Sequence, residues 1–183
     1  MQKNNQTIVL GGGCFWCMEA VLTALKGVIT VTPGYAGGTS INPTYYAVAG
    51  KKTGYAEVVR VEFDPTIISL RVLLDIFFHS HDPTSLNKQD YDEGPEYRSL
   101  ILYSTHDQKQ IIDDLLSEYT LSGEFDKPIV TEIHTLDTFY EAEKEHVKYF
   151  EKNSYLPYCQ IIISPKIAKL KQHYAKQLKV PIS

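Results

Sequence analysis

The chain is short of the features that most readily identify a protein. It has three cysteines in 183 residues, two of them close together. That is too few for the disulfide framework of a small secreted domain, and it fits a reducing compartment, most simply the cytoplasm. Positive charge is not in excess: the formal net charge is −4, which argues against a nucleic-acid or anionic-membrane partner. No apolar run approaches the ~20 residues that span a bilayer. The start, Met1-Gln2-Lys3-Asn4-Asn5-Gln6, is polar and lacks the apolar core of a signal peptide. No glycine-rich phosphate loop of nucleotide-binding spacing is present, and no Gly-x-Ser-x-Gly elbow. There is no internal repeat, low-complexity tract or linker. With 43% hydrophobic and 22% charged residues, a single globular domain over residues 1–183 is expected.

What the chain does have is Gly11-Gly12-Gly13-Cys14-Phe15-Trp16-Cys17-Met18-Glu19, with its only tryptophan. This stretch follows the apolar run Ile8-Val9-Leu10 and opens a helix read over Phe15–Leu25. Three glycines permit a sharp turn. The unpaired N–H groups and positive dipole end of a helix start favour an anion, so Cys14 is expected to have a lowered pKa and raised reactivity. The alternative is a small buried hydrophobe, as most free cysteines are.

The remaining pattern alternates strands and helices. Strands are read at 7–11, Val28–Thr32, Ala56–Phe63, Ser99–Ser104 and Pro128–His134. Further helices are read at Leu70–His81, Gln108–Tyr119, Phe139–Phe150 with a Glu/Lys-rich solvated face, and Pro165–Leu178. A short helical turn is placed at Tyr46–Lys51. Two long loops, Pro33–Tyr46 and 82–98, are rich in tyrosine or polar groups, and Asn153–Cys159 is irregular. The order strand, helix, strand, strand, helix, strand predicts an α+β two-layer domain. Its core is a ferredoxin-like split βαβ unit with a mixed sheet, followed by an irregular C-terminal extension.

Three constellations bear on chemistry. Cys159, on a stretch read as irregular and mobile, suits a resolving thiol for an oxidised Cys14; taken alone, it is more readily read as a buried structural cysteine. Cys14-Phe15-Trp16-Cys17 has the spacing of a redox pair. No metal is expected, because a zinc site wants four ligands and His79 and His81 point to different helix faces. The third constellation is acidic and phenolic: Glu57, Asp82, Asp90 and Asp92, with Tyr35, Tyr45, Tyr46, Tyr91 and Tyr97. Strand alternation sets Glu57 on one face with Val59 and Val61. A carboxyl among apolar groups can serve as a proton donor to a polar oxygen, which tyrosine hydroxyls can hold. Singly, most such residues are merely solvated or packed.

Gly13–Glu19 resembles the signature of the A-type peptide methionine sulfoxide reductases. The likeness continues through Gly34–Gly38, Asn42–Tyr45, Thr53–Val59, Leu74–Phe78, Asp82–Thr84, Tyr97–Ser99, Pro157–Gln160 and Ser164–Lys166, in the family's order. Tyr55 departs from the family's usual His, and Val147 from a common Gln. The resemblance implies that Cys14 attacks the sulfoxide sulfur and Glu57 protonates the oxygen, which Tyr45 and Tyr97 hold. Asp92 supports the site, Phe15 and Trp16 receive the S-methyl group, and Cys159 resolves the sulfenic acid. It implies action on the S epimer, in protein-bound and free methionine sulfoxide. Thioredoxin is the external reductant, and no metal, flavin or nicotinamide is required. A monomer is expected, without nucleic-acid or membrane partners. Two alternatives remain open at this point: a thiol–disulfide oxidoreductase using Cys14 and Cys17, and a non-catalytic module that binds oxidised methionine.

Overall fold

A computed structural model describes residues 4–39 and 42–179. The polar start Met1–Lys3, Ser40 and Ile41 of the first loop, and residues 180–183 lie outside the described residues. The elements run β1 (Gln6–Gly11), α1 (Phe15–Thr23), β2 (Val28–Ala36), α2 (Tyr45–Ala49), β3 (Ala56–Phe63) and α3 (Leu70–Ser80). A two-stranded ribbon follows, β4 (Lys88–Gln89) and β5 (Asp92–Glu93). Then come β6 (Leu100–Tyr103), α4 (His106–Ser122), β7 (Glu132–Thr135), β8 (Phe139–Glu141), α5 (Tyr149–Asn153) and α6 (Ser164–Tyr174).

The main sheet has the order β7-β6-β1-β3-β2-β8. Its centre, β6-β1-β3-β2, is antiparallel throughout and is the split βαβ core expected from the element order. β7 joins the β6 edge in parallel, which makes the sheet mixed, and β8 joins the β2 edge antiparallel. Period-two alternation sends Ile8, Leu10, Val59, Val61 and Ile101 into the main core with α1 and α3. Val9, Val58, Leu100 and Leu102 form a smaller cluster on the other face. α3 is fixed at its start by Ser69, whose hydroxyl accepts from the Val72 amide at 3.3 Å. It buries Leu73, Leu74, Phe77 and Phe78 completely. Truncating such a phenylalanine costs about 3–5 kcal/mol.

Three expectations are corrected. β2 continues through Pro33-Gly34-Tyr35-Ala36, a stretch whose composition reads as loop. A proline is tolerated there because its missing N–H is not needed in that ladder position, and β8 pairs with this stretch, Tyr35 opposite Tyr140. Residues 139–150 are not one helix: they form β8, a 3-10 turn at Lys144–His146 and the start of α5. The exposed edge of β2 takes a strand in preference to the segment's helical propensity. Finally, the segment carrying Cys159 is neither loose nor exposed. A π-helical turn, Cys159–Ile163, runs straight into α6, and Cys159 is fully buried. The extension as a whole is a string of short helical pieces packed back on α1.

Candidate active site

The turn between β1 and α1 is squeezed from two sides. Gly13 has φ +94°, and a Cβ there would lie 2.9 Å from the Gln89 side chain. A Cβ at Gly12 would meet the buried His81 ring at 3.0 Å. His81 is itself locked between the Phe77 carbonyl at 2.7 Å and the Ser99 hydroxyl at 2.7 Å, and burial holds its pKa down at about 4. The glycines thus let the chain turn against this rigid floor and deliver Cys14 to the N-cap of α1.

Two groups compete for that helix start. The Phe15 amide donates to Glu57 Oε2 at 3.0 Å, so the carboxyl of β3 occupies the anion position directly beside Cys14. Glu57 is only 3% exposed. Its burial outweighs the Phe15 hydrogen bond, with Asp92 and Glu96 adding repulsion, and its pKa is pushed up to about 8. It is therefore a protonated acid at neutral pH. Burial also raises the Cys14 thiol, aided by its contact with Cys17 and the charge of Glu57. The expectation of a lowered Cys14 pKa is corrected: desolvation exceeds what the helix start supplies, and Glu57 already takes the first amide. Cys17 moves the other way, lowered chiefly by accepting a hydrogen bond from Cys14, with Lys166 contributing.

The expected phenols are present. Tyr97 ends the 3-10 turn Pro95–Tyr97, and its phenol is raised by burial and by the charges of Glu57, Asp92 and Cys14. Tyr45, at the start of α2, is raised to about 12 by burial and by Glu57 and Cys14. Among the described residues neither phenol is engaged by a hydrogen bond, which leaves both free for an oxygen acceptor. Asp92 accepts from the Tyr158 hydroxyl at 2.8 Å, and that hydroxyl lies 3.8 Å from Cys17 Sγ. Asp92 thus reaches the thiols through Tyr158. Trp16 stacks on Tyr149 at 3.7 Å and on Tyr45 at 6.4 Å. Phe15 is fully buried and backs this wall through Tyr45 and Trp16.

Several residues at the site escape sequence reasoning. Glu143 accepts from the Tyr35 hydroxyl at 2.7 Å and from the Tyr45 amide at 2.8 Å, pinning α2 to β2. Burial alone raises its pKa, but those bonds prevail and the net shift is downward. His146 Nδ1 accepts from the Trp16 indole at 3.2 Å, and its ring lies 4.6 Å from Tyr45; burial lowers its pKa. Glu19 caps α5, accepting from the Lys148 and Tyr149 amides at 2.8 and 3.3 Å. The only sequence signal at Glu143 and His146 is a Glu/Lys-rich pattern that mimics a solvated helix. Asp82 and Asp90 serve structure instead: Asp82 closes a turn onto Thr84, and Asp90 pairs with Lys166.

Residues 6–179 match the model of the family described as peptide methionine sulfoxide reductase.

The chain belongs to this family.

It is 48% identical to the peptide methionine sulfoxide reductase MsrA of Trichodesmium erythraeum, covering 94% of this chain and 97% of the relative. It is 46% identical to the MsrA of Saccharolobus solfataricus over 96% and 98% of the two chains. Mxr1 from Saccharomyces cerevisiae, in its reduced crystal form, superposes with a TM-score of 0.79 at 30% identity, covering 87% of this chain and 91% of that one. The same yeast protein in complex with Trx2 gives a TM-score of 0.57 at 24% identity, over 81% and 87%, and shows the common fold. Among the described residues no group of three or more His, Cys, Asp or Glu is placed to hold a metal ion, and no helix is long and apolar enough to cross a membrane.

Proposed function

We propose that the chain reduces methionine S-sulfoxide, protein-bound or free, to methionine, and that residues 1–183 act as one catalytic domain. The observation that carries this reading is the neutral Glu57 carboxyl at the start of α1, directly beside Cys14. Cys14 sulfur attacks the sulfoxide sulfur. Glu57 protonates the oxygen, and Tyr45 and Tyr97 hold it by hydrogen bonds as charge develops. A bond forms between the two sulfurs as the sulfur–oxygen bond breaks and the protonated oxygen leaves as water. A water molecule then attacks the Cys14 sulfur, the sulfur–sulfur bond breaks with its electron pair returning to methionine, a proton is released, and Cys14 is left as a sulfenic acid. The Trp16 ring, backed by Phe15, receives the S-methyl group, since an aromatic face suits a polarizable thioether better than a charged group. Asp92 holds Tyr158 against the thiols. Cys159 carries the disulfide that thioredoxin reduces, the reductant suggested by the Trx2 complex of the yeast relative. The reaction as written needs no metal or organic cofactor. A cytoplasmic location and a monomeric state belong to the same reading.

A thiol–disulfide oxidoreductase using Cys14 and Cys17 is disfavoured by burial. Cys14 is 7% and Cys17 4% exposed, so in the reduced protein a slender side chain reaches the Cys14 thiol more readily than a folded protein's disulfide does. The test is turnover with dithiothreitol on the separated epimers. Turnover of the S epimer alone, abolished by Cys14→Ser, is expected. Equal turnover of both epimers, or insulin reduction without sulfoxide turnover, contradicts the proposal.

A further inference from the structure

The three thiols form a chain in space, and Cys17 is its middle link. Cys14 and Cys17 share one tight turn: the Cys14 carbonyl accepts from the Cys17 amide at 3.1 Å and from the Met18 amide at 3.3 Å. Residues three apart in such a turn are neighbours, within the roughly 4.4–6.8 Å between Cα atoms that a disulfide requires. Each thiol shifts the other's titration, Cys14 upward and Cys17 downward. On its other side, Cys17 Sγ lies 3.8 Å from the hydroxyl of Tyr158, the residue before Cys159.

Cys159 itself is fully buried, on the π-helical turn packed against α1. Its carbonyl accepts from the Ser164 hydroxyl at 3.1 Å. Its neighbour Tyr158 is anchored to Asp92 at 2.8 Å and edge-on to Trp16 at 5.8 Å. Besides burial, the influence felt by the Cys159 thiol is the charge of Cys17. The Tyr158 hydroxyl stands by both Cys17 and Cys14, so the Cys159 segment must move before Cys159 meets either thiol. Cys17 already shares the Cys14 turn, so no rearrangement of distant chain separates these two. A π-helical turn is rare and often sits at functional sites; the later approach of Cys159 to Cys17 requires this turn to rearrange.

We propose that Cys17 is the first thiol to attack the sulfenic acid on Cys14, and that Cys159 then takes the disulfide over from Cys17. This rests on Cys14 being the thiol oxidised by the sulfoxide. In the first step a bond forms between the Cys17 and Cys14 sulfurs and the Cys14 sulfur–oxygen bond breaks. The oxygen leaves as water with its own proton and the one from Cys17. In the second, Cys159 sulfur attacks the Cys17 sulfur. The Cys14–Cys17 bond breaks, the electron pair returns to Cys14, and the Cys159 proton regenerates its thiol. No further oxidant enters, and the Cys17–Cys159 bond is what leaves the pocket for an external dithiol. The downward shift of the Cys17 pKa eases loss of that proton as its sulfur attacks.

The test gives reduced Cys159→Ser protein one equivalent of methionine S-sulfoxide without reductant, then maps its cysteines after alkylation. A Cys14–Cys17 disulfide, with loss of alkylation at both positions, is expected. Methionine release with Cys17 still alkylated and Cys14 trapped by dimedone overturns the relay. Cys17→Ser and Cys17→Ala provide the converse. With Cys159 intact, both should accumulate dimedone-reactive Cys14 and lose the disulfide. A Cys14–Cys159 disulfide forming as fast as in the wild type overturns the relay. Methionine released in each sample reports the Cys14 chemistry separately, and its absence from the Cys159→Ser sample removes the reading of Cys14 and the relay with it.

Discussion

Replacing Glu57 with Gln removes a titrating group while keeping its shape and its acceptor for the Phe15 amide. The folded carboxyl has a pKa of about 8 against an ordinary 4.5. A carboxyl raised on folding binds its proton more tightly in the native state, so its contribution is fully present below the unfolded value and is lost as pH rises through the folded one. Near neutrality the unfolded chain is ionised by about 2.5 pH units while the native acid is still protonated. At about 1.4 kcal/mol per unit, wild-type protein should lose roughly 3 kcal/mol of stability between about pH 4 and pH 7 from this group alone. Glu57→Gln escapes that loss. Denaturant unfolding of both proteins across this range should therefore show the variant gaining about 3 kcal/mol relative to wild type, with the difference levelling off above about pH 8. The same variant should turn over about 10²- to 10⁴-fold more slowly, having lost its acid. A stability difference that is flat with pH refutes the assignment of Glu57 as a buried neutral acid.

Wild-type kcat/KM for sulfoxide should fall as pH rises through about 8, and Glu57→Asp or Gln should remove or shift that limb in a pH–rate profile. Gly13→Ala, forced at φ +94° against Gln89, should cost about 1–3 kcal/mol in denaturant unfolding and displace Cys14. Glu143→Ala leaves the fully buried Tyr35 without its acceptor; about 1–3 kcal/mol of stability should be lost, with a raised KM because α2 no longer holds Tyr45. Cys159→Ser should keep turnover with dithiothreitol and lose it with thioredoxin in a coupled NADPH assay.

Much of this site is legible in the amino-acid sequence. Alternation over Ala56–Phe63 puts Glu57 on the face of Val59 and Val61 but leaves open whether it turns to the core or breaks the pattern there, and three glycines before Cys14 announce a turn that only small residues can take. The split βαβ order survives because each of its elements carries its own apolar period. The rest depends on long-range terms. Glu143 and His146 lie in a Glu/Lys-rich stretch whose local composition favours helix, and only the unpaired edge of β2 makes it a strand and turn. Tyr35 reads as loop because Pro33 and Gly34 precede it. The Cys14 pKa runs opposite to the sequence expectation because a helix start is a local feature, whereas desolvation is set by everything packed above it. Cys159 follows the same logic: Pro157 and the tyrosines around it suggest irregular chain, but packing on α1 closes it into a π-helical turn.

The most direct measurement is the methionine released by fully reduced protein mixed with methionine S-sulfoxide in the absence of any reductant. Two methionines per chain from excess S epimer, because passing the disulfide to Cys17–Cys159 returns Cys14 to its thiol, none from the R epimer, and none from Cys14→Ser is the predicted result. Release by Cys14→Ser, or no release by the reduced wild type, would contradict the assignment of Cys14 as the nucleophile.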